Sequence, residues 1–423
     1  MSKIVAVPTE DSHQDVFPVA RQIQSLMKEE KLSEEKIQEF ERNFVEHIEK
    51  EDWYQIFLLF GDKCDLIVRQ VDKKGKPAAD KVECYFATLI YLLDAMDSII
   101  KLEAAVTKVV QLLLSGTEYA QLRLKMLKTA YNSLPVSPKT AHLSRQTFFG
   151  VLNFAADNQL FHELLPYLNF FEQWVANWGE AAKETDRKEI FHIIATAIPQ
   201  LKPEVKLTLS SDVLFDDEEL AFSWMKKYLL EETEVNEQSL KAVKTFVADI
   251  CRLPGVYQVE GLLTIPFLAE AAKKDASIPK MLQLLQLFVS GTVTDLEKFK
   301  SANPGLLESL GVASSDIENK LRVLSLCSLC EGRSTVPLAE VRKVLGAEDV
   351  DDLIIQAGHF DVLNARIDEL DQTLHVQTVL QRSFGPKDWA HLDTTLETWI
   401  NKIDALIAIN NNDVGSTVAQ AGA

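Results

Sequence analysis

For about its first two hundred residues this sequence repeats one unit: a run with apolar positions every three or four residues, then a short break, with no strand signal between. Such spacing puts the apolar side chains on one face of a helix. Helices are expected over 15–30, 33–50, 53–71, 78–97, 102–114, 117–133, 140–156, 160–178 and 185–198. Ser33 is placed as an N-cap, with Glu34 and Glu35 in the first turn behind it. Lys73-Lys-Gly-Lys76 reads as a turn, with Pro77 opening the next helix; Ser115-Gly116 and the Pro135/Pro138 pair mark further breaks. A stack of antiparallel helix pairs is the economical fold, because each pair needs neighbours to bury its apolar face. No tight repeat signature recurs, so the repeats are degenerate, and a single irregular helical domain stays open as the alternative.

After a candidate linker at 202–212, helices resume over 216–231, 237–253, 262–274, 278–290, 293–301 and 304–310. The pattern then changes. An apolar helix over 316–330 ends at Gly332, and Ser334-Thr-Val-Pro-Leu338 is a short strand or connecting loop. Short helices follow over 338–345, closed by Gly346, and over 347–359. Residues 365–371 and 373–379 alternate as two strands. Three helices and a two-stranded wing make a winged helix.

The last helix opens at Gly385-Pro386, with Asp388 in its first turn. Its apolar residues Trp389, Leu392, Leu396, Trp399, Ile403 and Leu406 alternate spacings of three and four, and Ile400 and Ile407 widen the stripe. That is the seam of a helix packed along another helix. The seam either folds back on the preceding domain or serves a partner helix bundle; two tryptophans beyond a complete module favour the partner. The expected fold class is all-α with a small winged-helix hairpin. Its parts are a disordered start (1–12), a helical-repeat solenoid (13–211), a domain with a helical part (212–315) and a winged helix (316–380), a C-terminal helix (381–410) and a disordered tail (411–423).

Charge decides what the winged helix can hold. Its second helix begins Ala347-Glu-Asp-Val-Asp-Asp352, with four carboxylates and no Lys or Arg before His359. Duplex binding through this helix needs cations to displace counterions, so a protein-interaction reading is preferred to a nucleic-acid one. The formal net charge of -19 extends that argument to anionic lipid. No run approaches the length of an apolar membrane span, and the first residues lack the apolar centre of a secretory signal. Five scattered cysteines read as reduced thiols of the cytosol or nucleus.

Catalytic signatures are missing. There is no phosphate-cradling Gly-x-x-x-x-Gly-Lys-Ser/Thr and no dinucleotide-binding glycine motif after a strand. His162-Glu163 starts like a helical zinc motif, but Pro166 stands where the second His belongs. Cys327-Ser-Leu-Cys330 has ligand spacing without a second pair, and lies in the apolar stripe of Leu321, Leu324, Leu326 and Leu329, so core packing is expected. No catalytic, cofactor or metal residue is assigned, and no small-molecule substrate.

Several stretches resemble the PCI family, named for its occurrence in the proteasome lid, the COP9 signalosome and translation initiation factor 3. They are Leu284-Leu-Gln-Leu-Phe-Val-Ser290 with Phe299 and Leu307-Glu-Ser-Leu-Gly311; Gly346-Ala-Glu-Asp-Val350; Ile367-Asp368; and Arg382-Ser-Phe-Gly-Pro-Lys-Asp-Trp389 continuing through Leu392, Thr395-Leu396 and Trp399. The resemblance spans roughly 240–403, and the loop Pro254-Gly-Val-Tyr-Gln-Val-Glu-Gly261 departs from it. It implies a cytoplasmic, non-catalytic scaffold subunit of translation initiation factor 3, supporting recruitment of mRNA and the 40S ribosomal subunit. A subunit of the COP9 signalosome, or one shared by both complexes, is the alternative. The partners implied are other PCI and MPN subunits, with the 40S subunit reached indirectly and direct RNA binding weak or absent. The matching interface residues are Leu374, Val376 and Val379 on the wing, and Trp389, Leu392, Leu396, Trp399, Ile403 and Leu406 on the last helix. Direct RNA binding would rest on Lys73, Lys74 and Lys76 alone.

Overall fold

The computed structural model describes residues 16–69, 78–135, 137–206, 216–345 and 350–421, with the backbone alone for 409–421. The expected disordered start, the Lys73–Lys76 turn, Pro77, Gly346 and most of the 202–212 linker lie outside the described residues. The architecture is helical, with one small antiparallel sheet near the C-terminus. The chain separates into two compact units between Glu231 and Glu232.

The first unit contains α1 (Val16–Glu29), α2 (Glu34–Glu49), α3 (Trp53–Gly61), α4 (Cys64–Val68), α5 (Ala79–Tyr91), α6 (Ile99–Leu114), α7 (Ala120–Ser133), α8 (Ala141–Asp157), α9 (Phe171–Asn177), α10 (Glu184–Ala197) and α11 (Asp217–Glu231). In α1, Val16, Val19, Ala20, Ile23, Leu26 and Met27 are buried, the helical stripe its spacing requires. The Phe44 ring stacks on Phe40 and Phe60 at 6.5 and 5.9 Å, tying α2 to α3. The helix expected over 160–178 is broken: Pro166 leaves short 3-10 turns at Phe161–Glu163 and Leu165–Phe170, and α9 starts only at Phe171.

Buried ions hold this unit at two places. The Arg123 guanidinium donates to the carbonyls of Leu112 and Leu113 at 2.7 and 3.1 Å, capping α6, and to Glu118 O at 2.7 Å. Arg145 forks onto the fully buried Asp186 with two bonds of 2.6 Å, and Lys183 N–H donates to the same carboxylate. Burial alone would raise the Asp186 pKa, but the Arg145 bonds, the Lys183 N–H and the nearby cationic charge outweigh it and hold it below the ordinary value. The sequence put the boundary between the large domains at 211/212. In the structure α11 belongs to the first unit, because Trp224 packs its ring 5.3 Å from Phe171 and 5.6 Å from Phe191.

The second unit contains α12 (Glu237–Arg252), α13 (Glu260–Leu263), α14 (Pro266–Lys274), α15 (Ile278–Ser290), α16 (Val293–Ala302), α17 (Leu306–Leu310) and α18 (Ser314–Cys330). Then come β1 (Thr335–Pro337), α19 (Leu338–Leu345), α20 (Val350–His359), β2 (Leu363–Asp368), β3 (Thr373–Val379) and α21 (Pro386–Ala421). Asn236 caps α12, its side chain accepting from Ser239 N–H at 2.8 Å. The core of α18 is Ile317, Leu321, Val323, Leu324, Leu326, Cys327 and Cys330. Val341, Val350, Leu353, Ile354 and Ala357 bury the inner faces of α19 and α20.

Of the two readings of 334–338 the strand is the one that forms, and as β1 it joins the wing in the order β1-β3-β2. Val336 and Ile367 flank Leu374 from either side, and a bulge falls at Asn364/Ala365. The last helix also exceeds its expected length. It runs to Ala421, through the stretch expected as a disordered tail, because no proline follows Pro386 and the small residues up to Ala421 are compatible with helix.

Candidate interaction surface

The last helix is fastened at its base, and its apolar stripe from Trp389 to Ile407 is exposed. Arg382 sits between the wing and α21, and its guanidinium donates to the carbonyls of Leu287, Phe288 and Gly291 at 2.9 to 3.0 Å. Those carbonyls lie at the C-terminal end of α15, where a cation is favoured. A further bond of 3.2 Å reaches Ser328 Oγ on α18. Phe384 N–H donates to Glu260 Oε2 at 2.8 Å, and the Phe384 ring meets Trp389 edge-on at 4.8 Å. Gly385 N–H donates to Asp388 Oδ2 at 2.8 Å, so a carboxylate in the first turn satisfies the N-terminus. The stretch that carries the PCI resemblance is therefore the joint from which the helix departs.

Beyond the joint the seam is exposed. Trp389 is 62% exposed, Trp399 59%, Ile403 55% and Leu406 65%, while Leu392 and Leu396 are exposed to a lesser degree. Ile400 and Ile407, which widen the stripe, are bare as well. At 1.5 Å per residue the 36-residue helix is about 54 Å long. Its exposed apolar stripe, Trp389 to Ile407, covers about 27 Å of that length. The fold-back alternative is not what the described residues show: apart from the Phe384 ring on Trp389, the seam stands exposed.

On the wing the expectation needs correcting. Leu374 is fully buried, as the central residue of the central strand, and packs the sheet onto the module. It offers nothing to a partner. Val376 and Val379, on the same strand, are half-buried. With β1 and β2 on its two sides, β3 is not a free edge over Thr373–His375; the outer strand β2 is. The sequence alternation identified the strands but not their order.

The other candidates resolve into packing. Cys327 and Cys330 are both fully buried. Burial pushes the Cys327 thiol up to about 12 and the Cys330 thiol up to about 11, the direction of inert core thiols. Among the described residues no group of three His, Cys, Asp or Glu side chains is placed to hold a metal ion. Glu163 of the zinc-like pair lies on a 3-10 turn and pairs with Lys128 at 2.8 Å. No helix among the described residues is long and apolar enough to cross a membrane.

Cations that bond backbone carbonyls escaped the sequence reading. Lys320, 4% exposed, donates to the carbonyls of Ile250 and Leu253 at 2.5 and 2.6 Å and lies over the rings of Tyr257 and Phe288. Half-buried Arg382 is another. Both cap helix ends far away in sequence, so the bonds leave no local signature, although Arg382 opens a stretch that carries the PCI resemblance.

Fold and surface together define a class: helical-repeat proteins that end in a winged helix and a bare C-terminal helix. No family model matches the chain. It is similar to Eukaryotic translation initiation factor 3 subunit M of Dictyostelium discoideum, 22% identical over 346 residues covering 80% of this chain and 81% of that protein. The protein of that name from Nematostella vectensis is 24% identical over 66% of this chain and 68% of its own length. COP9 signalosome complex subunit 7a of Pongo abelii is 30% identical over 161 residues, which are 37% of this chain and 55% of that protein.

Proposed function

We propose that this chain is a cytoplasmic, non-catalytic PCI-type scaffold subunit of translation initiation factor 3, acting as subunit M does in its relatives. It joins sister PCI and MPN subunits through its wing and last helix, and so supports recruitment of mRNA and the 40S subunit. The single observation that carries this reading is the bare seam of α21, rooted by Arg382 and aimed at no surface of its own unit. The similarity to subunit M over four-fifths of both chains supports the choice of complex. On the helix the interface residues are Trp389, Leu392, Leu396, Trp399, Ile403 and Leu406; on the wing they are Val376 and Val379 with the outer edge of β2. In this reading the PCI domain takes in the helical part from Glu232 onward and the winged helix.

Affinity purification of the tagged chain tests the proposal. Co-purification of initiation-factor subunits in fixed ratio is the expected result. Recovery of signalosome subunits without them rejects it. The signalosome is the second reading, favoured by the higher identity to its subunit 7a over a shorter stretch.

A further inference from the structure

The tip of the wing is built around one leucine. β2 ends at Asp368 and β3 starts at Thr373, which face each other across the ladder. In the four residues between, Leu370 is 96% exposed, more than any other large apolar side chain among the described residues. Hairpin tips are normally polar, because their side chains stand in water.

The tip is also fixed. Asp368 Oδ1 accepts from Leu370 N–H at 2.9 Å and from Asp371 N–H at 3.1 Å. Gln372 adopts a left-handed conformation (φ 51°), and its side-chain amide donates to Glu369 O at 2.7 Å. Leu338 N–H, at the start of α19, donates to Gln372 O at 2.9 Å and ties the tip to the module. The loop therefore satisfies its own polar groups and projects Leu370 from a rigid base, which lowers the ordering cost of an encounter. Glu369 and Asp371 flank it, both exposed, and the nearest Lys or Arg along the chain is Arg366, further down β2.

We propose that Leu370 is a docking knob for a protein partner that presents an apolar socket rimmed by Lys or Arg. The charges select that occupant. Nucleic acid and anionic lipid are repelled by Glu369, Asp371 and the acidic start of α20, and a second copy of a chain of net charge -19 brings the wrong sign. The contact is separate from the α21 seam. It rests on the scaffold reading only for which complex supplies the partner.

The test uses the full chain in its own cells, with a photoreactive phenylalanine analogue in place of Leu370. The same analogue at exposed Ser301 measures random encounters. The expected result is a cross-link to one protein, mapped to an apolar site beside Lys or Arg. It should exceed the Ser301 product and fall about tenfold when Glu369→Lys and Asp371→Lys are added. No product above the Ser301 background overturns the proposal. So does a product with lipid, RNA or a second copy, or one indifferent to the charge reversal. A cross-link with the expected chemistry to a protein outside initiation factor 3 keeps the knob and rejects the scaffold assignment.

Discussion

The Lys320 ammonium lies 2.6 Å from the carbonyl oxygen of Leu253, 67 residues earlier in the chain. With its second bond, to Ile250 O, it closes the end of α12 from the first helix of the winged module. A cation at a helix C-terminus is favoured, yet removing it from water is costly. Burial wins, and the Lys320 pKa falls to about 8.

That depression predicts a pH signature. Between pH 8 and about 10.5 the unfolded lysine keeps a proton that the folded one has lost, so stability rises with pH across this window. Below pH 8 both states are protonated and the contribution is flat. The full rise is about 3 kcal/mol. Urea unfolding at pH 7.5 and 10 should show the parent gaining relative to Lys320→Met. Parallel pH profiles for the two would contradict it.

Asp186→Ala should cost about 3 to 5 kcal/mol, since it strands the Arg145 guanidinium in a half-buried site. In the parent, the folded Asp186 pKa lies below its ordinary value. Its contribution is therefore complete above the unfolded carboxyl pKa and is lost as pH falls through the folded one. Acid titration followed by tryptophan fluorescence should show the Asp186→Ala variant less sensitive to acid in that range.

Trp389→Ala combined with Trp399→Ala should leave the melting temperature of the isolated chain within a degree or two, because both rings are more than half exposed. Assembly should suffer, at about 2 to 4 kcal/mol for each anchor. Side-by-side melting and co-purification would check both halves; undiminished co-purification would remove the helix from the interface.

Arg382→Ala should loosen the base of α21 without unfolding the winged module. Hydrogen exchange is expected to accelerate at 287–291 and 382–388 and to stay unchanged in β2 and β3. Arg382→Lys should rescue poorly, because one ammonium cannot bond three diverging carbonyls as the guanidinium fork does. Gly291→Ala should mimic the defect, since its new methyl would stand 2.8 Å from the Leu287 Cα and carbonyl oxygen, which are backbone and cannot turn aside.

Much of this molecule was legible where a local period carries the information. The switch from helical spacing to alternation located the wing, and the three-four spacing from Trp389 to Leu406 located the seam. Strand order was not legible, because the three residues of β1 allow a strand but do not say which strand they pair with, and so the burial of Leu374 went unseen. The break in the 160–178 helix follows from Pro166, whose effect the apolar spacing around it masked. Lys320, Arg382 and Arg123 bond backbone carbonyls, which have no sequence signature, and the first two do so across at least 67 residues. The helical tail was missed because Asn410-Asn-Asn412 reads as a stop, although nothing there forbids a helix.

The bare stripe of α21 also bears on the life of the chain before assembly. A polypeptide made in excess of its companions carries two tryptophans and a run of isoleucines and leucines into water, a surface that quality-control machinery treats as damage. Its abundance is then set less by its own synthesis than by the supply of the chains that cover it, and surplus copies are cleared.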